Sequence, residues 1–284
     1  MNQPLIDLYD EYTHRPLDRR VFLERLTVLA GSTAAAQAFL SVIEPNYARA
    51  AVIAADDPRV GSVSLEASPD LKGYLAFPKA KGSEVKDNLV IVIHENRGLN
   101  PHIEDVARRV ALEGFHAFAA DFLTPYGGTP KDEDQARDMF AKIDMGRVVK
   151  SAADLIAGLK LKNPRMKIGA VGFCWGGGAV NSIATAAPGL DAGVSFYGVA
   201  PKLEDVPKIK ASMMMHYGSL DARVNATKEP FENAMKAAGV AHQGFMYEGA
   251  NHAFHNDTSP ERYVEAAAKQ AWQRSMDLFK QKLV

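Results

Sequence analysis

Cysteine is all but missing from this chain: Cys174 is the only one in 284 residues. That excludes an intrachain disulfide and, with it, the small folds that depend on a disulfide framework. A charge imbalance is missing too, since 33 basic residues stand against 34 acidic ones for a formal net charge of −1. Such a balance argues against nucleic acid, or an anionic membrane held by bulk electrostatics, as the partner. No stretch stays apolar for the roughly 18 residues that a membrane-spanning helix requires. Internal repeats and low-complexity tracts are likewise absent, which removes solenoids and extended linkers.

What remains is a globular composition, 47% hydrophobic and 24% charged, long enough to bury roughly 75% of its unfolded surface around a core. Two segments are expected, residues 1–59 and 60–284. In the first, Asp18-Arg19-Arg20-Val21-Phe22-Leu23 precedes a mildly apolar, small-residue stretch from Leu26 to Ile43, followed by Ala48-Arg49-Ala50. This pattern has two readings. One is a helical arm that stays on a cytoplasmic protein and packs against the second segment. The other is a twin-arginine signal, with cleavage near Ala50 and a periplasmic product. The eighteen residues ahead of the arginine pair favour the arm.

The second segment alternates strand and helix. Ser62–Ala67 and Lys72–Phe77 read as an edge hairpin, and the unbroken apolar run Asn88–His94 reads as a strand buried on both faces. Amphipathic spacing predicts a helix over Pro101–Glu113 with Val106, Val110 and Ala111 inward. Further strands are expected at Phe115–Ala120, Ile168–Phe173, Ala192–Tyr197, Ser212–Tyr217 and His242–Tyr247. Helices are expected at 132–143, 147–160, 226–238 and 260–280. This order implies an α/β fold, a mostly parallel sheet with helices on both faces.

The stretch from Lys167 to Pro188 organises the rest. An apolar strand meets Cys174, and Gly176-Gly177-Gly178 opens an alanine-rich helix. Gly172-Phe173-Cys174-Trp175-Gly176 is the nucleophile-elbow pattern of α/β-hydrolases with cysteine in place of serine. Its glycines are expected where side chains would collide with the crossing strand and helix. Asp221 follows a later strand and His252 the last one, so the order is nucleophile, acid, histidine. The chemistry needs these types: a thiolate attacks a carbonyl, an imidazole takes and returns the proton, and a carboxylate fixes the imidazole. Backbone N–H groups of Trp175 and Asn96 are the expected oxyanion donors. His252-x-x-His255 lacks a third ligand at metal spacing, so neither metal nor cofactor is expected. His216 reads as core, whereas His14, His102, His116 and His242 have no interpretable context.

Four segments together, His94-Glu95-Asn96-Arg97-Gly98-Leu99-Asn100, Gly172-Phe173-Cys174-Trp175-Gly176-Gly177, Phe196-Tyr197-Gly198 and Gly249-Ala250-Asn251-His252-Ala253-Phe254, carry a resemblance. From about Val60 to the C-terminus the chain resembles the dienelactone hydrolase (carboxymethylenebutenolidase) family, and its leading arm resembles the longer, YghX-like branch. The resemblance implies a hydrolase of small carboxylic esters or lactones, acting through an acyl-cysteine with Cys174, Asp221 and His252 as triad. It also implies that Glu95 contacts the cysteine as part of a substrate-triggered switch; the residues alone leave Glu95 open as a capping or ion-pair residue with Arg97. Where the family holds a substrate carboxylate with two arginines, this chain has Pro125 and Asn256. Arg97, Tyr126, Tyr197 and Arg223 remain as candidate substrate contacts. Alternatives are a thioesterase, a promiscuous esterase or organophosphate hydrolase, and, outside catalysis, a redox-responsive or ligand-binding protein. A monomer or homodimer is expected.

Overall fold

A computed structural model describes residues 3–15, 17–45, 52–79 and 88–284. Three helices lead: α1 (Gln3–His14), α2 (Arg19–Ala30) and α3 (Thr33–Ile43). The local sequence explains their ends. Asp18 caps α2 by accepting from the N–H groups of Arg20 and Val21, Gly31 ends it at φ +80°, and Ser32 caps α3. Leu5, Leu8, Tyr9, Tyr12, Phe22, Leu26 and Ile43 form a small core of their own. The pair α2 and α3 has the length and composition of a membrane span but is bent by 109°, and no single described helix could cross a membrane. The expected cleavage site at Ala48-Arg49-Ala50 lies outside the described residues.

The remaining strands are β1 (Val60–Ser68), β2 (Leu71–Pro78), β3 (Asn88–Ile93), β4 (His116–Asp121), β5 (Lys167–Phe173), β6 (Ala192–Phe196), β7 (Ser212–Gly218) and β8 (His242–Tyr247). They form one sheet in the order β1-β2-β4-β3-β5-β6-β7-β8. The β1–β2 hairpin joins it antiparallel through β2 and β4, and every pairing from β4 to β8 is parallel. Every residue of β3 is buried, and alternation sends its side chains to two cores. Val90 and Val92 meet α4 (Pro101–Leu112) and α9 (Glu265–Leu283); Ile91 and Ile93 face the side of α6 (Met145–Lys162), α7 (Trp175–Ala186) and α8 (Ala222–Ala237). Helix α5 (Glu133–Phe140) packs Ala136 and Phe140 onto Leu123 beside this second layer.

Two helix starts depart furthest from expectation. Helix α8 begins four residues early, at Ala222, because the Asp221 side chain accepts from Val224 N–H and caps it there. Helix α9 begins at Glu265 rather than Pro260, because the preceding segment is spent in turns, including Asn256 N–H to Ala253 O and Arg262 N–H to Ser259 O.

Candidate active site

Cys174 stands between β5 and α7 at φ 57°, ψ −116°. A Cβ added at Gly172 would overlap the Gly176 carbonyl, and one at Gly176 would overlap the carbonyls of Ile93 and His94. Only glycine lets the turn close this tightly. Among the described residues, the other non-glycine residues at positive φ are Tyr197 (40°) and Ala253 (63°). Both also follow strands at the sheet's carboxyl edge, Tyr197 after β6 and Ala253 beyond β8. Each such backbone costs about 1–3 kcal/mol, and clusters of them mark sites where geometry is imposed for a purpose.

The strand-end loops deliver the other expected residues. His252 Nδ1 lies 2.5 Å from Asp221 Oδ2, and Asp221 is 3% exposed. The opposite nitrogen, Nε2, is buried with no hydrogen-bond partner. Burial works against a charged His252, but Asp221, Asp10 and the Cys174 sulfur outweigh it and raise the imidazole to about 10. Asp221 is held below its ordinary value, burial being outweighed by His252. The ring of Tyr197 packs 4.9 Å from that of His252, and Arg223 Nη2 is 3.4 Å from its Nδ1.

The contact made by the sulfur itself comes from outside the sheet. His14, the last residue of α1, places Nε2 3.0 Å from Cys174 Sγ, and side-chain nitrogen and sulfur atoms of His14, Cys174 and His252 all lie within 4.8 Å of one another. On the far side of the ring, Nδ1 is 2.8 Å from Asp10 O and 3.1 Å from Asp10 Oδ1. Burial pushes the Cys174 thiol up, but His14 and His252 pull it further down, to about 6. His14 is raised, Cys174 and Asp10 overcoming its burial. Nothing in the sequence around His14 points to this contact. An Asp10–His14 pair four residues apart on an amphipathic helix was the one available signal, and it does not say what the pair faces.

Glu95 differs from what the resemblance implies. Its Oε2 accepts from Asn256 Nδ2 at 2.8 Å, and Oε1 is buried without a partner. Asn256, which stands where an arginine was expected, therefore holds the carboxylate that was expected on the cysteine. Arg97 is buried and donates to the Glu133 carbonyl at 2.8 Å. Asn96 donates its side-chain amide to the Thr13 carbonyl at 2.6 Å. Trp175 is the first residue of α7, where a backbone N–H has no acceptor within the helix, and its indole stacks on His94 at 5.6 Å. Tyr126 is not brought to Cys174: it packs under Arg147 and lines a separate small cavity with Pro125 and Phe122. His216 is core, bonded to Tyr247 and Ser275, and His255 is stacked between Phe173 and Trp272 rather than turned toward His252 as a second ligand.

Among the described residues, cavities of two sizes touch Cys174. One, of about 20 Å³, is enclosed by Glu95, Arg97, His14 and His252. The other, of about 720 Å³, runs between α1 and the sheet edge past Asn96, Trp175 and Phe140.

A mixed eight-stranded sheet with helices on both sides and a strained strand–turn–helix at its carboxyl edge defines an α/β-hydrolase. Within that class, residues 71–283 match the model of the dienelactone hydrolase family, and the chain belongs to it. A candidate carboxymethylenebutenolidase of Methylorubrum extorquens is 28% identical over 94% of this chain and 96% of its own. The YghX hydrolase fragment of Escherichia coli K12 is 43% identical over 38% of this chain and 96% of the fragment. The crystal structure of a candidate dienelactone hydrolase from Klebsiella pneumoniae superposes with a TM-score of 0.69 at 27% identity, covering 78% of this chain and 99% of that one.

Proposed function

We propose that this hydrolase cleaves a small carboxylic ester or lactone through an acyl-cysteine on Cys174. The observation that carries the reading is the conjunction at the sheet edge: a buried, acid-shifted thiol on a strained turn, beside an imidazole fixed by a buried carboxylate. His252 serves as proton carrier and Asp221 as its anchor. Trp175 and Asn96 N–H groups are the oxyanion donors; where such donors have been removed, each was worth about 3 kcal/mol.

The larger cavity supports a substrate with an anionic end. Its wall carries Arg15, Arg137, Lys142, Lys202 and Arg223; Asp134 and Asp138 offset Arg137 and Asp10 offsets Arg223, so the excess of positive charge rests on Arg15, Lys142 and Lys202. In a cleft of this size, of the order seen for small-molecule sites, that excess favours a carboxylate-bearing acyl or alcohol part. Arg223 then takes the clamping place that Pro125 and Asn256 cannot fill.

The test is a panel of aryl esters, lactones, thioesters and phosphotriesters, with and without a carboxylate, followed by intact-mass detection of the adduct. The expected outcome is an acyl adduct on the wild type and at least ~1,000-fold less ester hydrolysis in Cys174→Ala. Unchanged hydrolysis in that variant would refute the mechanism.

A further inference from the structure

We propose that His14, delivered by α1, is a catalytic residue of this enzyme, a second imidazole that takes the thiol proton of Cys174 and keeps it, while His252 moves the protons of the substrate and water. The proposal rests on the acyl-cysteine reading above and assigns that site a member from outside the sheet.

The geometry separates the two rings. His14 Nδ1 donates to the Asp10 carbonyl at 2.8 Å, so in the neutral ring the lone pair is on Nε2, the nitrogen 3.0 Å from Sγ. Its side chain is 10% exposed. His252 Nδ1 is taken by Asp221, and the ring also faces Cys174, which it helps to hold as thiolate; with Sγ already paired to His14 Nε2, His252 Nε2 is the nitrogen left to meet a leaving oxygen or an attacking water. The two rings meet edge to face, 4.5 Å apart. The charged and titratable groups facing this pair are Asp10 on its own helix, His252 and Asp221 at the sheet edge, Arg223 on α8, and Glu95 with Arg97 after β3. Tyr197 packs on His252, and Arg262 lies over Tyr9 in the same wall.

The helix, together with α2 and α3 behind it, is fastened where this role needs it. Asn96 Nδ2 holds Thr13 O at 2.6 Å, Gln3 Nε2 holds Asn251 Oδ1 at 2.7 Å, and Ser259 Oγ holds Ile43 O at 2.6 Å. Tyr12 stacks under the Arg137 guanidinium at 4.1 Å, and Arg19 pairs with Asp134. Asn96 is itself one of the expected oxyanion donors and Asn251 precedes His252, so the docking contacts and the reaction centre share residues.

The proton account balances. The S–H proton passes to His14 Nε2, leaving thiolate beside imidazolium. Sγ then bonds to the ester carbon, and the C=O pair moves to oxygen. Collapse restores the carbonyl and breaks the C–O bond, and the alkoxide leaves with the proton of His252 Nε2. Water adds to the thioester as neutral His252 removes its proton, the C–S bond breaks, and the carboxylic acid departs. His252 is again protonated, and the thiolate is again paired with His14.

The test is the pH dependence of Cys174 alkylation by iodoacetamide, which needs no ester turnover and so can fail independently of the hydrolase reading. In His14→Gln the thiolate loses its adjacent cation, and alkylation at pH 6.5 is expected to fall at least ~10-fold, with recovery to near wild type by pH 9, where the thiol ionises unaided. Asp10→Asn, which keeps the ring, should move the same midpoint in the same direction by less. Ester acylation should follow the alkylation profile. Far-UV circular dichroism and melting temperature report whether both variants keep the fold. An unchanged alkylation midpoint, an equal loss at every pH, or faster alkylation in His14→Gln would each overturn the proposal, the last by showing that His14 only covers the sulfur.

Discussion

Two histidine–carboxylate pairs converge on one sulfur from opposite ends of the chain, and they are built differently. His252 and Asp221 sit on loops that follow adjacent parallel strands, β8 and β7. Their approach is set by a continuous ladder of backbone hydrogen bonds. His14 and Asp10 sit one turn apart on α1, and their approach to Cys174 depends on how three short helices dock. A strand-borne pair is rigid because moving it breaks the sheet. A helix-borne pair is only as fixed as the contacts beneath it, so it is the part of the site most open to adjustment.

Breaking the strand-borne pair should have the largest effect. Asp221→Asn leaves the His252 ring without the carboxylate that fixes its tautomer and stabilises its cation, and ester hydrolysis is expected to fall by about 10³–10⁴ at neutral pH. Steady-state kinetics on an aryl ester reads this. A loss below tenfold would mean that Asp10 can replace Asp221 as the acid of the site.

Loosening the helix-borne pair without touching either histidine is the intermediate case. Phe22 is buried in the small helical core and stacks on Tyr12 at 4.1 Å. Phe22→Ala should cost the packing of that core about 3–5 kcal/mol. Alkylation of Cys174 below pH 7 should slow several-fold while the main thermal transition of the sheet holds. An unaltered alkylation rate would show that α1 stays docked without α2.

The smallest effect is expected at Glu95. It is bonded to Asn256 and shares only a narrow cavity with Cys174. Glu95→Gln removes a negative charge, which makes a nearby thiolate easier to form, so the alkylation midpoint should move toward acid by less than about one pH unit. A shift toward base would instead show that Glu95 activates the thiol. The sign is definite: above a midpoint near 6 the sulfur reacts as thiolate, and below it reactivity is lost as the thiol is protonated.

The sheet was legible because its signals are local. The unbroken run in β3, the alternation of strand with helix, and the glycines of the elbow each carry their meaning within about ten residues. The order Cys174, Asp221, His252 follows from the same logic, since parallel strands bring their carboxyl ends to one edge wherever they lie in the chain. The starts of α8 and α9 fall four and five residues from where helical periodicity places them, because a cap and a run of turns compete with that periodicity.

By itself, the sequence determined the fold, the tight turn at Cys174, and the residues that strand order must bring beside it. Tertiary structure alone decided that Asn256 takes Glu95, that Tyr126 stands apart from the cysteine, and that His14 lies against the sulfur. The reason is physical: strand pairing converts sequence order into spatial order, whereas a docked helix meets its partner through side-chain complementarity between segments 160 residues apart, which no local pattern encodes.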